Sequence, residues 1–480
     1  MTFSSFSYFL FVPIVYLTYY LTSDRWRWLV LLIASYGFYA ALRAPYLLAV
    51  LLLVTGISYG CGLRIASQQD DSLRQRWLWI GSFACVMVLA LLKYFPFFDA
   101  LSHRILGSSA ALSSPLVSIG VSYFSFQAIS YLADVYLEIE EPERHFGHYA
   151  LFLAFFPKLL QGPIERAGEL LPQLKSPYRF DYDTVRSGLT LFAWGLFKKA
   201  VVADLLALYA NQSYNNIGQS SRSALLLGTY AFALQIYFDF SGYTDMARSV
   251  GRIFGISLEE NFNSPYLATS IADFWRRWHM SFSRWILDYI FKPLQMGWRA
   301  WGQGGTALAL VLTFLVSGVW HGASWGFIIW GLLHGSYLAA STHYRPLQKR
   351  LHKRLGIAKS RWLKWWQIFV TFNLVSFAWI FFRGGGRDGW QAVKRLFGIA
   401  APALDRANGI AISASDLVVS QGKYNAVLMA LLLAFFAYLC LFKKDFSLFA
   451  KAYSTGGVFM WRWLLASACW LKTVTAIFCI

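Results

Sequence analysis

Acidic residues are scarce in this sequence. Only 24 Asp and Glu stand against 43 Lys and Arg in 480 residues, and charges of both signs make up 14% of the chain, where a soluble globular protein carries about 25%. With 57% of the residues apolar, that shortage excludes the two or three soluble domains that the length alone would suggest. Cysteine is also sparse. The five present, Cys61, Cys85, Cys440, Cys469 and Cys479, are odd in number, sit in apolar runs and have neither metal-ligand nor disulfide-framework spacing, so they read as packing residues. No Pro/Ser-rich linker, low-complexity block or repeat of 20 to 50 residues divides the chain, and a single membrane domain over residues 1–480 is the expectation.

What the sequence has instead is uncharged runs near the roughly 20 residues that a helix needs to cross a bilayer. Met1 to Ser23, Ala44 to Leu63 and Tyr424 to Phe442 contain no Asp, Glu, Lys or Arg. Trp28 to Leu42, Trp77 to Leu92, Ile105 to Ala133, Ser223 to Phe238, Trp365 to Phe382 and a stretch from Trp463 interrupted by Lys472 follow the same pattern. Ala300 to Tyr344 is the longest, enough for two passes. Together these predict an all-α polytopic membrane protein with about eleven spans or partial spans, some too short or polar to face lipid. The first run lacks a basic n-region and a small-x-small cleavage site before Asp24, so it reads as a span and not as a cleaved signal.

The net charge of +19 would suggest a polyanion partner in a soluble protein. Here Arg345, Lys349, Arg350, Lys353, Arg354, Lys359, Arg361 and Lys364 occupy one connection without an acid among them. By the positive-inside rule that connection is cytoplasmic, as are those marked by Arg64, Arg74 and Arg76 and by Arg25 and Arg27. With Arg43 between the second and third spans, the N-terminus then faces outward. No nucleic-acid partner is expected.

Ionisable groups inside a membrane-embedded chain are functional candidates, and three segments carry them. Tyr237 to Asp245 ends an apolar run with Asp239, Ser241, Tyr243 and Asp245; it reads either as a polar path or as a helix end solvated at the headgroups. Asp273 to Trp285 predicts an amphipathic interfacial helix, with positions 275, 278, 282, 286 and 289 on one face and His279 beside Trp278. Arg277, Ser281, Arg284, Asp288 and Lys292 take the other face, where Asp288 can pair with Arg284 or Lys292. In the third segment, Ser317 to Trp325, a helix beginning after Gly304 and Gly305 would reach His321 in roughly 22 Å, short of a full crossing of ~30 Å. Gly318 and Gly322 would let the backbone turn there. Such a neutral imidazole can accept a proton from a hydroxyl, or it can staple two helices; the pattern alone admits both. His334 would point elsewhere, roughly 20 Å further along a continuous helix, and no metal centre is expected.

These residues carry a resemblance. Tyr-Phe-Asp-Phe-Ser-Gly-Tyr at 237–243, Phe-Trp-Arg-Arg-Trp-His-x-Ser at 274–281 and Trp-His-Gly-Ala at 320–323 resemble the signature blocks of membrane-bound O-acyltransferases (MBOAT), most closely the AlgI-like branch that acetylates polysaccharides. Further similar blocks run from Phe3-Ser4-Ser5 through Gly120 to Phe124 and Gly162-Pro163-Ile164 to Trp379 to Arg383. Phe291 to Gly297 departs from the branch's usual Leu-Gly-Gly-Asn-Arg-type ending, and the region beyond Arg383 is unmatched.

The resemblance implies a ring of about eleven transmembrane helices with re-entrant and interfacial helices. It further implies transfer of acetyl from a cytoplasmic donor, acetyl-CoA, with no bound cofactor, for O-acetylation of an extracellular polysaccharide such as alginate or cellulose. His321 would be the catalytic histidine and His279 the second site histidine, orienting reactants or stabilising the oxyanion. Asp239, Ser241, Tyr243, Trp320 and Trp278 would bind substrate. The setting would be a bacterial inner membrane, with extracytoplasmic acetyltransferases and a polysaccharide synthase or export complex as partners. Two other readings stand beside it: a transporter or flippase of an acetyl carrier, and an acyltransferase acting on peptidoglycan or teichoic acid.

Overall fold

The computed structural model describes residues 3, 5–42, 44, 46–106, 120–176 and 178–399, with the backbone alone over 95–106. Expected spans at Tyr424 to Phe442 and from Trp463, residues 107–119 of the expected run Ile105 to Ala133, and Cys440, Cys469 and Cys479, lie outside these residues, as does Arg43. Every extended element among the described residues is a helix. In chain order they are α1 (Phe6–Leu21), α2 (Arg27–Ala40), α3 (Tyr46–Ser67), α4 (Asp71–Leu106), α5 (Val121–Tyr136), α6 (Phe146–Ala154), α7 (Ala167–Lys175), α8 (Tyr182–Phe197) and α9 (Asp204–Asn215). There follow α10 (Arg222–Ile253), α11 (Ile271–Trp275), α12 (Met280–Ile286), α13 (Lys292–Gly297), α14 (Gly302–His321), α15 (Trp325–Arg354), α16 (Arg361–Gly384) and α17 (Arg387–Leu396).

The apolar runs become helices as their length and lack of charge require. Tyr46–Ser67, Asp71–Tyr94, Arg222–Ile253, Arg299–His321 and Arg361–Gly384 are long and apolar enough to cross a membrane, and Phe6–Leu21 is a shorter apolar helix. Their outer faces are what water would not tolerate: Leu21 is 85% exposed, and Trp79 and Phe83 are 64% exposed. Lipid is the solvent that removes that cost.

Two compact units divide the chain. The larger comprises 1–205 and 232–393. Its core is aromatic: Phe38, Tyr39, Phe124, Tyr149 and Phe156 are fully buried. Small polar side chains are satisfied within it, since Ser35 and Ser58 donate to carbonyls one turn back and also meet Phe156 N–H and the Tyr149 hydroxyl. The smaller unit comprises, among the described residues, 206–231 and 394–399. Tyr214 and Thr229 share a hydroxyl hydrogen bond of 2.9 Å there, and Arg395 donates to the Ser220 carbonyl at 2.7 Å.

Three expectations are corrected. The helix before His321 begins at Gly302, so its 20 residues run about 30 Å and the argument from a short helix does not hold. The break itself is present: Gly322, at φ 157° and ψ 174°, adopts a conformation that is essentially confined to glycine, and α15 starts three residues later. The basic connection is half helical, because α15 continues without interruption to Arg354. Lys and Arg are good helix formers and need no partner where they reach solvent.

The third correction concerns 273–289. No continuous helix forms; α11 stops at Trp275, and His279 takes a left-handed conformation at φ 43° and ψ 56° before α12 begins. The cause is tertiary. Phe262 pairs with Trp278 in an antiparallel bridge, Asn263 N–H donates to Arg277 O and Met280 N–H donates to Asn261 O, both at 2.9 Å. These bonds replace helical ones and outweigh the 1–2 kcal/mol that a left-handed non-glycine residue typically costs. As a result Ser281, expected on the polar face, is 2% exposed. Asp288 does pair with Lys292 at 2.7 Å, and with Arg166 instead of Arg284, which goes to Glu259.

Candidate active site

α14 and α15 meet as an antiparallel pair. Positions facing each other run in opposite order, Gly318 against Phe327 and Gly331, Phe314 against Gly331, and Val311 against Gly335. The pairing holds His321 at the end of α14 against Trp330 of α15, with ring centroids 5.0 Å apart, and against Phe382 of α16 at 4.9 Å. From the broken segment, His279 comes in beside Phe240 of α10 at 4.7 Å and Phe282 at 5.1 Å.

Both histidines line one cavity of about 200 Å³, shared with Tyr123, Asp239, Trp278, Trp330, Trp379 and Phe382 among others. Phe282 and Trp320 stack at 4.5 Å, and Trp320 lies 4.4 Å from His321, so an aromatic chain joins the two imidazoles along its wall. The Lys93 ammonium sits 4.8 Å from the Trp320 ring centre.

The two imidazoles are held differently. His321 is packed among rings. His279 is 4% exposed, and its Nδ1 lies 3.4 Å from Asn261 Oδ1. The same oxygen receives the Ser281 hydroxyl at 2.7 Å and the Ser281 backbone N–H at 3.2 Å, while Ser281 Oγ accepts the Ile164 N–H at 3.0 Å. Among the described residues, His279 Nε2 has no partner.

The remaining sequence candidates separate. Asp239 reaches the cavity and pairs with Lys199 at 2.6 Å. Ser241 and Tyr243 are not among the lining residues; the Ser241 hydroxyl is buried without a partner, and the Tyr243 ring stacks on Phe3 at 4.5 Å. Trp278 lines the cavity, whereas Trp320 backs it. His334 is closer to the site than a continuous helix would put it, because the break at Gly322 folds α15 back. Its Nδ1 accepts from Trp275 Nε1 at 3.2 Å, and its ring stands 5.1 Å from Trp330.

The model of the membrane-bound O-acyltransferase family, MBOAT, matches residues 140–381, a range that contains all three polar segments. The chain is 36% identical to a probable alginate O-acetylase AlgI of Pseudomonas aeruginosa over 86% of this chain and 78% of that one. It is 35% identical to a peptidoglycan O-acetyltransferase of Helicobacter pylori, over 82% of this chain and 78% of that one. A teichoic acid D-alanyltransferase of Bacillus subtilis is 30% identical over 55% of this chain and 68% of its own. The chain belongs to the MBOAT family. It is a multi-pass membrane O-acyltransferase, which decides between the transferase and transporter readings in favour of the transferase.

The segment that carries His279 is anchored by Asp273. Ser270 Oγ caps α11 by accepting the Asp273 N–H at 3.2 Å. In return Asp273 accepts Thr269 N–H at 3.1 Å, Arg277 Nε at 3.0 Å and Arg276 Nη2 at 3.3 Å. Burial pushes its carboxyl up, but Arg277, the Thr269 N–H and Arg276 outweigh burial and hold it below its ordinary value. A carboxyl so held contributes stability that is complete above its unfolded pKa of about 3.9 and is lost as pH falls further, through its folded value. Asp273→Asn is therefore expected to destabilise the protein by about 1–3 kcal/mol at neutral pH. It should also flatten the acid limb of a thermal-unfolding series in detergent. Parallel acid limbs for variant and wild type would count against this role.

Asn261 was not legible as a site residue. It sits 18 positions before His279 in a polar connection, and no spacing rule links them. The available signal was Ser281 in Trp-His-x-Ser, a hydroxyl two residues from a buried histidine that needs a partner.

Proposed function

We propose that this O-acyltransferase moves acetyl groups from cytoplasmic acetyl-CoA toward O-acetylation of an extracellular polysaccharide, in a bacterial inner membrane. The observation that carries the reading is the convergence of His321 and His279, 42 residues apart in sequence, on one aromatic cavity of about 200 Å³. That volume has room for several water-sized groups. It suits a short acyl thioester end better than a long hydrocarbon chain.

In the proposed reaction, an acceptor hydroxyl attacks the thioester carbonyl as His321 takes its proton. The tetrahedral intermediate then collapses, the C–S bond breaks, and the imidazolium returns the proton to the departing thiolate. His279, across the same cavity, orients the reactants. Asp239 lines the approach, and the aromatic walls exclude water that would hydrolyse the thioester.

The acceptor is a sugar hydroxyl or a serine of an extracytoplasmic acetyltransferase that passes the group on to alginate, cellulose or a similar polymer. Near-equal identity to an alginate O-acetylase and a peptidoglycan O-acetyltransferase supports peptidoglycan as a second acceptor. The test is transfer of radiolabelled acetyl from acetyl-CoA by the purified protein in liposomes, to itself or to an added acceptor. It is paired with the acetyl content of the cell's extracellular polymers with and without the gene. Transfer with loss of polymer acetyl on deletion is expected. Movement of intact acetyl donor with no acyl loss would sink the reading.

A further inference from the structure

The contacts of Asn261 fix more than the position of His279. Three groups meet one oxygen: the Ser281 backbone N–H, the Ser281 hydroxyl and His279 Nδ1. A backbone N–H can only donate, so the Asn261 atom that faces it must be the carbonyl oxygen and not the amide nitrogen. The Ser281 hydroxyl donates to that oxygen as well, since a carbonyl oxygen can only accept, while its own oxygen receives the Ile164 N–H. The orientation of the Asn261 amide is thus set by the two Ser281 donors and does not depend on the histidine's own protonation.

A carbonyl oxygen cannot donate. His279 Nδ1 next to it must therefore carry the hydrogen, and in the neutral imidazole the other nitrogen is then bare. That nitrogen, Nε2, is buried without a partner among the described residues, on a side chain that lines the cavity. Asn261 is 1% exposed and His279 is 4% exposed, so water does not compete readily for either.

We propose that Asn261, braced by Ser281, is a positioning residue that locks His279 as the Nδ1–H tautomer, making His279 a hydrogen-bond acceptor toward the reactants. A neutral His279 then cannot donate to an oxyanion. It grips the acceptor through a second O–H or N–H beside the hydroxyl that His321 deprotonates. A vicinal diol of a sugar ring supplies such a pair, as does a serine with its flanking backbone N–H. This assignment rests on the acyl-transfer reading for its consequence, but not for the tautomer itself.

The experiment is solid-state NMR of the full chain in liposomes with ¹⁵N-labelled histidine, the His279 signals being assigned by their loss in His279→Gln. The expected spectrum has a protonated, pyrrole-type Nδ1 and a bare, pyridine-type Nε2. A protonated Nε2 on neutral His279 would overturn the proposal. Asn261→Ala should shift His279 toward the other tautomer and lower kcat about tenfold or more with donor KM nearly unchanged; an unchanged spectrum or an unchanged kcat would also overturn it. The wild-type spectrum is decisive even where Asn261→Ala fails to accumulate. Because it needs no turnover, a protein that transfers no acetyl group would count against the acyl-transfer reading and leave the tautomer standing.

Discussion

His321→Ala is expected to lower the rate of acetyl transfer by about three orders of magnitude while donor KM changes little. General-base catalysis contributes roughly 10²–10⁴-fold, and the transferred proton has few other destinations in this cavity. Its walls are mainly rings, Asp239 is paired with Lys199, and in the proposed arrangement the bare Nε2 of His279 is taken up by the acceptor's second donor. The loss should fall on kcat because the proton moves only in the transition state, whereas donor binding does not use it. His321→Phe is the companion variant: it keeps an aromatic ring against Trp320, Trp330 and Phe382 and removes the base. Both variants are compared with wild type by single-turnover transfer of labelled acetyl at matched membrane abundance. Activity within tenfold of wild type for both would reject His321 as the base.

The largest effect on folding is expected at Gly331. A Cβ there would run into the Phe314 carbonyl oxygen and lie 3.3 Å from Gly318 Cα, and one at Gly335 would lie 2.8 Å from Val311 Cα. Backbone on both sides leaves nothing flexible to yield, so α14 and α15 must part. Small residues are what permit such approach between membrane helices, where dispersion contacts and not water exclusion hold the pair. Gly331→Val should cost about 3 kcal/mol, the upper range for overpacking, and Gly331→Ala less. Because His321 and Trp330 flank the same contact, residual folded protein should also lose activity. Gly304→Ala is the control of opposite sign. It lies in α14 with nothing within 4 Å of an added Cβ, so the gain of about 0.5–1 kcal/mol in helix propensity should appear without penalty. Folded yield and thermal unfolding in detergent measure all three; equal behaviour of Gly331→Ala and Gly304→Ala would refute the close-packing argument.

Helices and histidines were legible in the sequence to different degrees. Within the described residues, the apolar runs became helices because length and absence of charge are local properties that a bilayer reads directly. α14 nonetheless starts earlier than expected, since Gly302, Gly304 and Gly305 are tolerated in its first turn. The basic stretch after Tyr344 was read as a connection although its composition favours helix. The segment from 273 to 289 was misread for a different reason. Its apolar spacing is compatible with one helical face, and the backbone bonds to 261–263 that break the helix leave no periodic mark.

By itself, the sequence determined an all-α membrane protein with a histidine at a glycine-flanked break, because hydropathy and the Trp-His-Gly turn are written in neighbouring residues; acyl transfer followed from the resemblance of its signature blocks to the MBOAT family. Only the tertiary structure decided that His279 shares a cavity with His321, that Asp239 reaches it while Ser241 and Tyr243 are absent from its lining, and that Asn261 orients the second imidazole. Each of those depends on which distant backbone segments pair, and such pairing is set by packing and hydrogen-bond satisfaction across the whole core, not by the spacing of the residues along the chain.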